Sequence, residues 1–494
     1  MGLLDNIRGA AGKNSWPPQS VKSRWELIEG YAALRESNPA YVRAMAASQG
    51  MGGGSNSYIT TPWARRLSLT AAHMILGEEP RVIAADPLDQ ARIQQLIQLN
   101  DFNARARAAA YVSSSEGGVY GKVSSSPNSP RSRKGPTLQF VSERKVIPHF
   151  ANVDELVSAT IVQEWCNDEH SRTIYRLLEH HEPGVIRYEL YQGSQTDMGA
   201  RLALAADGRT AGLMDEQATG IEELLITYIP NDRTVDSPFG VSDFRGLETL
   251  FLALNETATS AEDQQRLLKK RLIMDESLQT QGEFVDEDIV WVNQRHTADG
   301  SSPILQPTPG DWQAGHHVEW QNALLDLTLT LAGESPQTLG RDLNGGASSG
   351  VALKLKMAHT ASVMSAKAQQ FERGIAEMFS LACKLDSMNI GSGINMKPAV
   401  KWANLTDPIS VELQDNLPVD ETEVADVVTK ARAAGVMSRR EALVRLNPQW
   451  DGAQLDEEEA RLDQEAAQQQ NSINTAASDA VASLPTLTLP PLNG

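Results

Sequence analysis

A mixed α+β fold, mostly helical, is what the sequence predicts, and three observations predict it. Apolar residues recur at three-, four- and seven-residue steps over long stretches at both ends of the chain and in its middle. A block of short runs that alternate apolar and polar side chains occupies residues 118–228 instead. The chain has 494 residues, 41% hydrophobic and 22% charged, which is ordinary globular composition and enough for about three domains.

The first segment, residues 20–110, reads as helices. Ser23-Arg-Trp-Glu26 has the form of a capping box and opens a helix to about Glu36, before Asn38-Pro39. Gly50 to Ser57 is a Gly/Ser loop, and Pro62 to Ile75 is the next helix, ended by Gly77 and Pro80. Asp86-Pro87 starts a third, broken near Asn100 and resumed to about Ala110. The strand block holds VYGKV, TLQFVS, SATIVQEW, RTIYRLLEHH, VIRYELYQG and ELLITYIP, with Glu182-Pro-Gly184 as one of its turns. Between two of these runs, Ser124 to Gly135 is a basic loop.

Asp243 to Met274 carries Leu247, Leu250, Leu254, Ala258, Ala261, Leu268 and Leu272 on one stripe and is expected to be one long helix, closed by Lys269-Lys270-Arg271. Residues 275–311 hold eight acids against one base, with strand candidates EFVDEDIVWV and SPILQP. His316 to Ala332 is helical again. The polar loop Ser335 to Gly350 follows, then a helix from about Val351 to Asn389. Lys397 to Val411 suggests strands that return to the earlier sheet. Asp420-x-x-Glu423 and Ser438-x-x-Glu441 open two more helices. The end, residues 464–494, is rich in Gln, Ala, Ser and Asn and is expected to be disordered.

Several function classes are excluded by what is missing. No run of about 18 apolar residues exists, so no membrane partner is expected. Two cysteines, Cys166 and Cys383, allow neither a disulfide framework nor a Cys-based zinc site, and suit a reducing cytoplasm. Gly12-Lys13-Asn14 lacks the glycine and hydroxyl of a phosphate-cradling loop. Gly346-Ala-Ser348-Ser-Gly350 matches G-x-S-x-G, but a nucleophile elbow needs an apolar strand before it, and Arg341-Asp-Leu-Asn-Gly is polar. A hydrolase using Ser348 is therefore a remote alternative. The pairs His180-His181 and His316-His317 have the wrong spacing for a helical metal site. No catalytic residue, metal or cofactor is expected.

Net charge is −19 but unevenly spread: residues 1–150 carry 18 basic and 11 acidic side chains, and the remainder 26 and 52. Residues 151–494 are therefore at −26, a poor composition for holding phosphate tightly.

Two helices flanking a small acidic insert, a Gly-rich loop, a long helix and a return to the first region resemble the portal protein of tailed double-stranded-DNA bacteriophages. Local matches run in the family's order. RLSLTAAHMILGEEPRV (Arg66 to Val82), LIQLNDF (Leu96 to Phe102) and GGVYGKV (Gly117 to Val123) are similar to its N-terminal elements. Ile229 to Asp263, with G-x-S-D-F at Gly240 to Phe244, is similar to the approach to the first stem helix. ESPQTLGRDLNGGASSGVALKLKM (Glu334 to Met357) resembles the tunnel loop and the start of the long helix.

The resemblance implies an N-terminal arm (1–19), a wing (20–240 with 375–410), stem helices (241–274 and 313–334) and a clip (275–312). It also implies a tunnel loop (335–350), the long helix (351–389), a crown (411–463) and the tail (464–494). It implies a ring, of twelve subunits in the family, at one capsid vertex of the virion, assembled in the host cytoplasm. Double-stranded DNA would pass through it non-specifically, and terminase, major capsid protein and neck or head-completion proteins would be its partners. Candidate DNA-proximal residues are then Lys269, Lys270, Arg271, Arg341, Lys354 and Lys356, and the loop's working positions Gly340, Asn344, Gly345, Gly346 and Gly350. The alternative is a capsid or scaffold-like assembly protein without DNA passage.

Overall fold

A computed structural model describes residues 15–51, 58–126, 131–152, 154–167, 172–268, 271–274, 290–291, 305–307, 314–341, 350–390, 397–405, 407–413, 421–447, 450 and 452–482. Its described helices are α1 (Gln19–Arg35), α2 (Pro39–Ser48), α3 (Trp63–Leu76), α4 (Pro87–Asn100), α5 (Phe102–Glu116), α6 (Glu248–Leu268), α7 (Ala314–Leu331), α8 (Gly350–Asp386), α9 (Glu421–Ala433), α10 (Arg439–Leu446) and α11 (Gly452–Ala482). The chain divides into two compact units, residues 1–345 with 356–416, and residues 346–355 with 417–494. Mixed helix and sheet is the architecture, as expected.

The first unit holds the sheets. Strands β4 (Val146–Ala151), β5 (Glu155–Trp165), β6 (Ile174–Glu182), β7 (Val185–Gly193) and β8 (Ala200–Leu202) form an antiparallel meander, with β9 (Glu216–Ala218) also on β7. A second sheet has the order β10 (Ile226–Pro230), β2 (Gly118–Ser124), β3 (Thr137–Ser142). β4 escapes the alternation test because Pro148 interrupts it. A proline survives there because β4 is an edge strand, where its missing N–H breaks no ladder bond.

Helix α8 packs on the second sheet so closely that a Cβ at Gly374 would collide with Ile229, and one at Gly121 with Met378. Around that contact Phe102, Phe371, Phe379, Ile375 and Met378 are almost wholly buried, with Phe102 and Phe379 edge-on at 4.9 Å. Burial of large side chains of this kind is the main source of stability.

Several boundaries differ from the sequence reading. α1 starts at Gln19 after Pro17-Pro18, and Ser23 lies exposed inside it; the prolines stop the helix further upstream than the capping-box pattern suggested. Asp86 does cap α4, accepting from the Leu88 N–H at 2.8 Å, and Asp101 breaks α4 from α5 with a φ of 49°. α6 runs Glu248–Leu268, shorter at both ends than the expected 243–274. Its expected last turn is replaced by a strand, β11 (Arg271–Met274), which pairs with β12 (Val290–Trp291) and β13 (Leu305–Pro307). Arg271-Leu-Ile-Met is apolar enough for either state, and pairing with β13 decides it.

Lys397 to Val411 does not rejoin either large sheet. β14 (Ser410–Glu412) pairs with β1 (Arg81–Ile83) as a separate two-stranded ribbon, and Lys397 bridges Ile390. The reason is chemical. The Lys397 ammonium is drawn under the end of α8, donating to the carbonyls of Asp386 (2.7 Å) and Met388 (3.1 Å).

In the second unit Ser438 caps α10, accepting from the Glu441 N–H at 3.1 Å as the motif predicts. The expectation of disorder from residue 464 is corrected: α11 continues to Ala482, since its Gln and Ala residues are good helix formers. Side chains that join α11 to α10 lie before residue 464: Leu455 is buried, and Asp456, Glu459 and Asp463 meet Arg440 and Arg439. Removal of residues 465–494 is therefore expected to shift the melting temperature by no more than a few degrees. A larger drop in a calorimetric scan would place a packing partner in the removed segment.

Candidate functional site

Gly340 and Arg341 lie in the turn that follows α7, and the packing of α6 and α7 positions that turn. Phe251, Leu252 and Leu254 of α6, with Phe244 and Leu247 just before it, share a core with Leu324, Leu325 and Leu329 on the inner stripe of α7. Tyr31 meets Phe244 edge-on at 6.0 Å and donates its hydroxyl to Glu248 at 2.7 Å, tying α1 to the start of α6. Asn255 takes the Thr61 N–H at 2.7 Å, which fastens the segment before α3 to the same helix. His317 and Gln264 meet at 2.7 Å across α6 and α7.

At the base of this pair lies a buried polar joint. The Asp243 carboxylate accepts from the Lys367 ammonium (2.7 Å), from Asn231 Nδ2 (2.7 Å) and from the Ser114 hydroxyl (2.7 Å). Glu334, 4% exposed, comes just after α7, and its Oε2 has no hydrogen-bond partner among the described residues. Burial pushes its carboxyl up to about 8; nearby Asp243 adds to the rise and Lys367 opposes it. The neighbouring turn is held by Thr360, whose hydroxyl accepts the Ser335 N–H at 2.8 Å and donates to the Gly333 carbonyl at 3.2 Å.

Past this joint the chain makes a short 3₁₀ turn, Pro336–Leu339, closed by Gly340 at φ 73°, a conformation that glycine adopts without strain. Arg341 folds back on α7, donating to Asp326 at 3.0 Å and to Asn322 at 2.9 Å. Gly350 opens α8, and Lys356 is half-buried on that helix.

Gly340 and Arg341 are thus adjacent, and no other candidates are brought into contact among the described residues. Arg271 begins β11, three residues after α6 ends at Leu268. Its side chain lies outside the described residues, as does that of Lys354. Lys269, Lys270, Asn344, Gly345, Gly346 and Ser348 also lie outside them.

Sequence reasoning missed the Asp243–Lys367–Glu334 joint. One signal was available: Lys367 stands in the apolar stripe of α8, between Met364 and Phe371, where a cation needs a buried partner. The histidine pair His180-His181 is engaged inside the meander, His180 with Thr160 at 2.8 Å and His181 with Glu179 at 2.9 Å. Among the described residues no group of His, Cys, Asp and Glu could hold a metal ion.

Residues 315–472 match the family described as phage portal protein, SPP1 Gp6-like. They take in α7, α8, α9, α10 and most of α11, so the resemblance to phage portal proteins holds over that stretch. No curated protein matches the chain. Among solved structures the chain is similar to one described as the virion of a native gene transfer agent (GTA) particle, with 11% identity, a TM-score of 0.40, and coverage of 90% of this chain and 98% of that one. It is also similar to the neck of a native GTA particle computed with C12 symmetry, with 11% identity, a TM-score of 0.43 and the same coverage of both chains, 90% and 98%.

Proposed function

We propose, from the portal-family match over residues 315–472, that the chain is the protomer of a ring at the portal vertex of a tailed-phage-like virion. Double-stranded DNA enters and leaves through that ring, and it is the docking point for terminase, capsid and neck proteins. The observation that carries this reading is the family match. It begins at the second of the two helices flanking the acidic insert and runs through the loop that leads into the long helix.

Charge supports a conduit. A channel that held phosphates firmly would stall its cargo, because each neutralised phosphate adds salt-dependent affinity. An excess of 26 acidic charges over residues 151–494, repeated around a ring, repels the DNA backbone. Lys269, Lys270, Arg271, Arg341, Lys354 and Lys356 then supply brief contacts. Arg341, already held by Asp326 at 3.0 Å, would act from the side of α7.

In a head-to-tail ring each protomer offers different surfaces to its two neighbours. Native mass spectrometry is expected to give a closed ring of twelve, and negative-stain images an axial hole. A stable monomer at micromolar concentration and low salt would overturn the proposal. The segment Ser335 to Gly350 faces the lumen in this reading. Deleting residues 343–347 is expected to leave assembly intact and to lower the DNA packaged or retained; normal packaging by the deleted ring would remove the tunnel-loop assignment.

A further inference from the structure

Strand β3 is the free edge of its sheet: among the described residues it pairs with β2 and with no other strand. Successive residues of an antiparallel strand direct their backbone groups alternately to the partner and away from it. Leu138 faces away, and its groups are met by side chains: its N–H donates to Asn100 at 3.0 Å and its carbonyl accepts from Arg105 at 3.2 Å. Phe140 has the same orientation two residues on. Neither its N–H nor its C=O finds a partner among the described residues. An unpaired edge of this kind is a template for another strand.

The edge opens into a groove of about 550 Å³. One wall is α5, through Arg105, Ala108 and Val112, and the other is β5, through Ile161 and Gln163. Its walls are mostly apolar, and the ionisable residues that line it are Arg105, Lys122 and Lys145, with no carboxylate among them. Lys122 is already neutralised by Glu179 at 2.6 Å, whereas Lys145 is exposed at the rim. In a chain of net charge −19, this is a groove with cations alone.

We infer that the groove receives an extended acidic segment of a partner protein, which adds to the free edge of β3 and sets its carboxylates beside Lys145 and Arg105. Main-chain pairing supplies affinity in such strand addition, and flanking side chains supply the choice of partner. A nucleic acid offers the charge but no peptide backbone to pair with Phe140. The inference rests on the first unit alone and does not depend on the portal reading.

A fluorescein-labelled heptapeptide of alternating Val and Glu, followed by anisotropy against the assembled protein at low salt, tests it. It is expected to bind at least about tenfold tighter than its Val/Lys counterpart, a difference of about 1.4 kcal/mol. Methylating alternate backbone nitrogens of the peptide should abolish binding. Lys145→Glu, at an exposed position, should weaken the acidic peptide about tenfold with unchanged melting, and Ala108→Glu on the opposite wall should do the same. Equal binding of the Val/Lys peptide or indifference to methylation would overturn the inference. So would an oligothymidylate that binds in the peptide's place, or peptide binding by dissociated subunits only, which assigns the groove to a neighbouring copy.

Discussion

Asp386→Ala is expected to cost about 3–5 kcal/mol, because it leaves the buried Lys397 and the half-buried Arg92 without their shared counter-charge. The Asp386 carboxylate, fully buried, accepts from Arg92 at 2.9 and 3.0 Å and from Trp402 at 3.3 Å, and lies 3.3 Å from the Lys397 ammonium. This one side chain holds α4, the end of α8 and the returning segment 397–405 together. Burial already lowers the tendency of Lys397 to stay charged, with Asp386 opposing that effect. Without the carboxylate, Lys397 must lose its proton or draw in water. Urea unfolding measures the loss. The double variant Asp386→Leu with Lys397→Met should recover part of it, since an apolar pair of similar volume can replace a buried ion pair. A single variant with an unchanged midpoint would show that the cluster contributes nothing net.

Glu334→Gln is expected to stabilise the protein, and increasingly so with rising pH. The folded carboxyl titrates at about 8 against 4.5 for a free one. At acid pH both states hold the proton and the group contributes nothing. Between 4.5 and about 8 the unfolded chain releases the proton while the folded one keeps it, so native stability falls as pH rises, and beyond that window the loss is complete. At about 1.4 kcal/mol per pH unit the full loss is roughly 5 kcal/mol, and Gln, which does not titrate, escapes it. Melting curves at pH 5 and pH 9 provide the measurement. A loss of stability at both values would mean that Glu334 is ionised throughout, paired with Lys367.

Local chemistry made much of the chain legible. The caps at Asp86 and Ser438 and the break next to Asn100 are decided within a few residues, and the sequence places each of them. The apolar stripe of α8 and the alternation of β5, β6 and β7 are likewise periodic signals that need no distant partner. From the order of these elements came the portal resemblance, which the match over residues 315–472 supports.

What depended on distant partners was not legible. Whether Arg271-Leu-Ile-Met continues a helix or becomes a strand turns on residues 305–307, more than thirty positions away. β4 is a strand because β5 pairs with it, despite Pro148. Of the candidate cations, the sequence by itself determined that Arg341 lies in the polar stretch that starts at Ser335; only the tertiary structure decided that its guanidinium lies on Asp326 and Asn322. Lys367 announces a buried charge by its place in an apolar stripe, but its partner Asp243 lies 124 residues earlier, and Arg92 and Asp386 are 294 apart. Helical and strand periodicity is written in spacings of two to four residues. A buried charge is stable only beside its counter-charge, and that pairing exists only once the chain has folded.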